Sequence, residues 1–193
     1  MLPAFILLLN GLFFQNLNDK NVVALVNSHP IHVKEFLFQA ARERTLVYTY
    51  FADKYKLGEE PLKWENSYDG EIPKQLLKDR ALKAAIRVKL QQIRMKDAGI
   101  QNEIDYLSFN NQYKKLISER KLKAKRGEVL YGPPLITEEE YFNYLFSNNV
   151  IRLQSRLLYE NEQKNDNYSL WIINESKNAA VEVFEKILDT AKL

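Results

Sequence analysis

The sequence predicts a mainly α-helical fold that opens with a small β-hairpin and has room for one or two further short strands. Three observations carry that prediction. Glycine is scarce, at 6 in 193 residues, so long stretches run without a Gly or Pro breaker. Those stretches place apolar residues at helical spacing. Residues Val22 to Phe36, by contrast, alternate and turn as paired strands do before a helix begins.

The hairpin comes first. Val22 to Val26 is β-branched and apolar, which suits a buried strand. Asn27-Ser28-His29-Pro30 carries turn formers, and the proline is incompatible with a central strand. Ile31 and Val33 alternate around His32 with the period of a return strand. Glycine would normally follow the asparagine in such a turn. With Ser28 there, a turn that avoids positive φ is expected. Val33 to Tyr55 then forms a long helix. One stripe holds Phe36, Ala40, Val47 and Phe51, and the adjoining one holds Leu37, Ala41, Tyr48, Ala52 and Tyr55. A face this broad implies burial in a bundle. Leu57 to Gly70 reads as a connecting loop that Trp64 and Tyr68 pin onto the helices.

Pro73 suits the first turn of a second helix, where its missing amide hydrogen is unneeded, and Gly99 suits the end. Leu82, Ile86, Leu90 and Ile93 form its expected inner stripe. A third helix is predicted from Glu103 to about Lys125, with Tyr106, Phe109, Tyr113 and Leu116 on one side. Val129 to Tyr131 reads as a short strand stopped by Gly132 and two prolines. Thr137 and Glu140 make a capping box for a fourth helix with the core stripe Phe142, Phe146, Leu153 and Leu157. Glu160 to Asn167 is polar and is expected to be mobile. Tyr168 to Ile173 is dense in strand formers. Ser176 is placed as the cap of a last helix whose inner face is Val181, Phe184, Ile187 and Ala191.

The segment Val22-Val23-Ala24-Leu25-Val26-Asn27, followed by Ile31 and Glu35-Phe36, resembles the start of the SurA-like and PrsA-like family of extracytoplasmic folding factors. That family's N-terminal chaperone domain begins Val-Ala-x-Val-Asn-Gly-x-x-Ile-x-x-x-Glu-Phe. Ala98-Gly99-Ile100 with Glu103-Ile104 is similar to its junction between helices, although the alanine here sits directly before the glycine. The resemblance covers Val22 to Tyr159 as an ordering of elements. It implies a helical chaperone-type domain that binds unfolded or nascent exported polypeptides. Family members often add a parvulin-type prolyl isomerase domain, which needs about 90–100 residues. Too little chain follows Tyr159 for one, so isomerase activity is not carried over. The expected organisation is 1–21 as export signal or membrane anchor plus linker, 22–160 as the helical domain, and 161–193 as a strand and helix packing back on it.

Leu2 to Phe14 is almost wholly apolar, broken only by Pro3 and Asn10-Gly11. It is shorter than the about 20 residues of a bilayer span and fits the about 7–15 of a signal h-region. No basic residue precedes it and no small-x-small cleavage site follows, which leaves an interfacial or buried helix as the alternative. The expected location is extracytoplasmic. Net charge is +3, unevenly spread: residues 74–96 and 114–126 are rich in Lys and Arg. The two basic stretches are either solvated helix faces or a surface for an anionic partner, namely a membrane, acidic clients or, as a weaker alternative without any reading motif, nucleic acid.

Nothing in the sequence signals catalysis, a cofactor or a metal. There is no cysteine, so disulfides, thiolate zinc sites and cysteine nucleophiles are excluded. His29 and His32 are the only histidines, and on a strand their spacing sends them to opposite faces. Adjacent Ser28-His29 is no nucleophile–base pair. Glu138-Glu139-Glu140 suits a helix N-terminus on dipole grounds. The expected function is therefore non-catalytic: a holdase with an apolar, aromatic-rich groove, or alternatively a membrane-associated adaptor or structural subunit. The candidate client-binding residues are Tyr48, Phe51, Tyr55, Trp64, Tyr141 and Tyr144. Each also fits ordinary core packing, the usual fate of aromatics at helical spacing.

Overall fold

A computed structural model describes residues 21–133, 135–160 and 168–193. The apolar N-terminal segment 1–20 and the polar segment 161–167 lie outside the described residues. The fold is mainly α, with six helices and a three-stranded antiparallel sheet among those residues. Strand β1 (Val22–Val26) lies between β2 (His29–His32) and β3 (Val181–Val183). Helices α1 (Val33–Tyr55) and α2 (Pro73–Asp97) pack along each other against the sheet. Helices α3 (Tyr106–Lys125) and α4 (Glu138–Glu160) form an arm beside α2. Helices α5 (Tyr168–Asn178) and α6 (Glu185–Thr190) flank β3.

β1 is buried at every residue, as a central strand of β-branched side chains should be. Pro30 sits in β2, an edge strand, where its missing donor leaves no ladder position empty. The expectation that Ser28 would avoid positive φ is overturned. Asn27 and Ser28 have φ of 47° and 66°, the pattern of a type I′ turn. A two-residue hairpin loop must match the right-handed twist of its strands, and that demand overrides the side-chain preference. The third strand helps hold the turn: Asn27 exchanges hydrogen bonds with the Ala180 backbone, N–H to oxygen at 2.8 Å and Oδ1 from N–H at 2.9 Å. A left-handed conformation costs an L-residue about 1–2 kcal/mol, and glycine's extra freedom in the unfolded chain offsets about 0.4–1 kcal/mol of that. Ser28→Gly is therefore expected to raise the urea midpoint, by roughly 0.5–1 kcal/mol of stability. A lowered midpoint would show that Ser28 bears no strain.

Glu35 accepts the His32 N–H at 2.8 Å and so closes the N-terminus of α1. Lys56, at φ 53°, ends that helix in the left-handed conformation. The second helix stops as the sequence predicts. Gly99 takes φ 67°, its N–H bonds Lys96 O at 2.9 Å, and the Ile100 N–H bonds Met95 O at 2.8 Å. Of the expected inner stripe of α2, Leu90 is buried in the main core, but the rest of the stripe differs. Leu77, Ala81 and Ala85 are the buried residues facing α1, while Leu82, Ile86 and Ile93 are only partly buried. Small side chains let two long helices approach closely, and larger ones then fill the flanks. Because sheet, arm and α5 all contact α2, even Lys89, Gln91 and Gln92 are buried.

Four further expectations are corrected. The third helix starts at Tyr106, capped by Asp105 Oδ1 accepting the Ser108 N–H at 2.9 Å, and Glu103 lies before it. Val129 to Tyr131 is not a strand. Tyr168 to Ile173 is helix, and Ser176 does not cap a last helix but lies inside this one, donating to Ile172 O at 2.6 Å. The strand formers there are used at helical spacing. Tyr168 and Trp171 join Met95, Leu153 and Leu157, and Ile172 packs on the main core. Packing against α2 outweighs strand propensity, which reflects fit to a pleated surface. The last expected helix is split, because Val181 to Val183 pairs with β1 and helix resumes only at Glu185. The capping box of α4 forms as expected, with Thr137 N–H to Glu140 at 2.7 Å and Glu140 N–H to Thr137 Oγ1 at 3.2 Å.

Candidate polypeptide-binding surface

The six candidate aromatic residues do not converge. Tyr48, Phe51, Tyr55 and Trp64 belong to α1 and the loop after it, while Tyr141 and Tyr144 belong to α4. Phe51 is fully buried, and its assignment as a binding residue is corrected. Its ring meets Tyr50 edge-on at 5.3 Å, Tyr68 edge-on at 5.4 Å and Tyr55 in a stack at 5.6 Å. The Tyr55 hydroxyl donates to Tyr68 O at 2.8 Å, so Tyr55 serves to pin the 57–71 loop. Glu71 strengthens that pin by accepting from Lys54 at 2.9 Å and from Tyr50 at 3.0 Å. Those bonds, Lys54 first, hold the Glu71 carboxyl below its usual range. Tyr141 is half-buried in a stack on Phe109, and burial, with Tyr144 adding to it, pushes its hydroxyl pKa up. Of the six, Tyr48 and Tyr144 expose large surfaces, at 42% and 64%, and Trp64 is half-buried at the edge of its loop.

Trp64 adjoins Glu65, which lines a cavity. Two cavities, of about 340 and 190 Å³, share Leu193 in their linings and open along the face where α6 and the residues after it meet α1 and α2. The larger is floored by Ile72, Leu188 and Ala191 and rimmed by Lys74, Lys78, Glu65 and Asp189. The smaller is floored by Leu37, Ala40, Ala41 and Leu77, with Arg44 at its rim. Arg44 lies over the Trp64 ring at 4.3 Å, which ties the indole to the groove. The ion pairs Lys78–Asp189 and Lys74–Glu65, the latter at 2.7 Å, brace the rim. The result is an apolar trough with charges of both signs along its edges, dimensions that suit the side chains of an extended peptide. Sequence reasoning missed Ile72, Leu188, Ala191 and Leu193. Ile72 was legible only as an apolar residue before Pro73 and the others as apolar residues of the last segment, Ala191 on its expected inner face, because these cavities form only where that segment meets the two long helices.

No group of three His, Cys, Asp or Glu among the described residues is placed to hold a metal ion. His29 bonds the backbone of its own turn, Nδ1 to Asn27 O at 2.9 Å, and the buried His32 ring lies 5.5 Å from that of Tyr106. Lys89 and Glu35, paired at 2.8 Å, are buried and engaged with the backbone, Lys89 with Ile104 O and Glu35 with the His32 N–H. The Tyr106 hydroxyl donates to Glu138 at 2.8 Å, and burial, followed by that bond, raises its pKa. Burial likewise pushes Tyr168 up to about 12. A third cavity, lined by Gln92, Tyr106, Phe109 and Phe142, has a volume of about 30 Å³, enough to hold water but far smaller than the other two.

Among the described residues no helix is long and apolar enough to cross a membrane. The chain matches no family model, no curated protein and no solved structure.

Proposed function

We propose that this chain is a non-catalytic extracytoplasmic holdase that captures unfolded or partly folded polypeptides in the trough around Leu193. The single observation that supports this reading most is the pair of neighbouring cavities that share Leu193 in their linings. Together they form a row of subsites for the alternate side chains of an extended segment. Apolar floors capture hydrophobic residues without demanding a sequence, and the mixed charges at the rim tolerate varied flanks. Trp64, under the rim residue Arg44, adds contact area with a polar edge. The resemblance of Val22 to Phe36 to chaperone domains, and the apolar N-terminal segment read as an export signal or anchor, point the same way.

The test is binding to a permanently unfolded, reduced and alkylated protein, together with suppression of aggregation of a thermally denatured one. Ala41→Trp, which fills the smaller cavity from an exposed helix position, and Ile72→Ser, which roughens the larger, are each expected to weaken binding about tenfold. That is about 1.4 kcal/mol, in the usual range for a residue central to an interface. Full activity in both variants, or no binding by the parent chain to several unfolded clients, would reject the trough as a client site.

A further inference from the structure

We propose that the outer end of the α3–α4 arm docks on an anionic lipid surface. The segment after α3 folds back along that helix and is tied to it by backbone atoms. The Glu128 N–H bonds Lys123 O at 3.0 Å, the Arg120 guanidinium donates to the carbonyls of Tyr131 and Pro133, and the Tyr113 hydroxyl donates to Ile136 O at 3.0 Å. Gly127 and Gly132, at φ of 67° and 79°, permit the tight bends. With its backbone engaged in this way, the strap turns its apolar side chains outward. Val129 is 78% exposed, Tyr131 89% and Leu135 60%, and Leu122 on the adjoining helix is 52% exposed.

The same end of the arm is strongly cationic. Between 114 and 126 the chain has seven basic residues and one acidic one. Lys114, Lys115, Lys121, Lys123 and Lys125 are all exposed. Exposed aliphatic and aromatic groups on a strap whose one carboxylate, Glu128, is paired with Arg126 at 3.6 Å, next to a helix bearing exposed lysines, suit the boundary between lipid headgroups and acyl chains. There the apolar side chains insert, tyrosine sits at headgroup level, and lysines meet the phosphates. Charge complementarity selects an anionic surface. Nucleic acid would use the lysines but would leave Leu122, Val129 and Leu135 in water, so lipid accounts for more of the surface. This site lies on other elements than the trough and does not depend on it.

The absence of cysteine allows a single reporter on the full-length chain. Tyr131→Cys carrying an environment-sensitive dye is mixed with vesicles of phosphatidylcholine, with or without phosphatidylserine. The dye is expected to shift to the blue only with phosphatidylserine, and the shift is expected to fade as salt rises. Lys121→Gln, Lys123→Gln and Lys125→Gln together should raise the lipid concentration for half-maximal shift about a hundredfold, at about fivefold per lysine. Because these lysines are exposed, circular dichroism of the triple variant should match the parent. A dye that stays in water on anionic vesicles, an equal shift on neutral ones, an unchanged midpoint in the triple variant, or displacement from the vesicles by an oligonucleotide would each overturn the proposal. Ala41→Trp should leave the shift intact, which separates failure of this surface from failure of the trough.

Discussion

Replacing Lys89 by alanine is expected to destabilise the protein by about 3–5 kcal/mol, the usual result of breaking one side of a buried ion pair. Its ammonium lies 2.8 Å from Glu35 Oε1, and the two side chains are 2% and 6% exposed. It also donates to Ile104 O at 3.0 Å. Removing it strands a carboxylate and a carbonyl inside the fold at once. The carboxylate cannot move away freely, because its other oxygen closes the first turn of α1 on the His32 N–H. One residue thus joins the start of α1, the middle of α2 and the loop before α3. Since typical domains are stable by about 5–15 kcal/mol, the loss would be a large share of the total. Urea unfolding checks it, and a change below about 1 kcal/mol would show that the pair relaxes into solvent. Pairing Lys89→Met with Glu35→Gln removes both charges and keeps an acceptor for His32, so the double variant should recover much of the loss.

Phe51→Ala should cost about 3–5 kcal/mol, as deletion of a fully buried aromatic ring does. The ring is 0% exposed and is enclosed by Tyr50, Tyr55 and Tyr68. Its loss would open a cavity beneath the 57–71 loop and release Tyr68, the residue that closes the bridge to Glu71. Thermal unfolding should therefore start earlier, and Trp64 fluorescence should report the loop loosening first. The contrast is Tyr144→Ala. At 64% exposure it is expected to change stability by less than about 0.5 kcal/mol. Equal effects at the two positions would mean that the 57–71 loop repacks over the vacated space.

Why one of these tyrosine-and-phenylalanine positions is core and the other surface was not legible from spacing. Phe51 and Tyr48 lie on adjoining stripes of the same helix, yet one is enclosed and the other is 42% exposed. The stripe told only that α1 buries a broad face, not which neighbours arrive to cover each part. The same holds at Tyr168 to Ile173. Aromatic and β-branched residues fit a pleat or a helix face equally well, and contact with Met95 and Leu153 decided the matter. The trough was further out of reach, since its floor joins Leu37 and Ala41 to Leu188 and Leu193 across the length of the chain.

Local chemistry alone determined the hairpin, the long helices and several of their ends. Pro73, Gly99, and Thr137 with Glu140 act through backbone geometry and hydrogen bonds a few residues away, so a short window of residues suffices to read them. Only the tertiary structure decided that Ser28 takes a left-handed conformation, that Lys89 is buried against Glu35, and that the chain's last residues add a strand and line a trough. Those outcomes depend on groups distant in sequence meeting in space, where burial and the pairing of polar atoms outweigh the preference of any single residue.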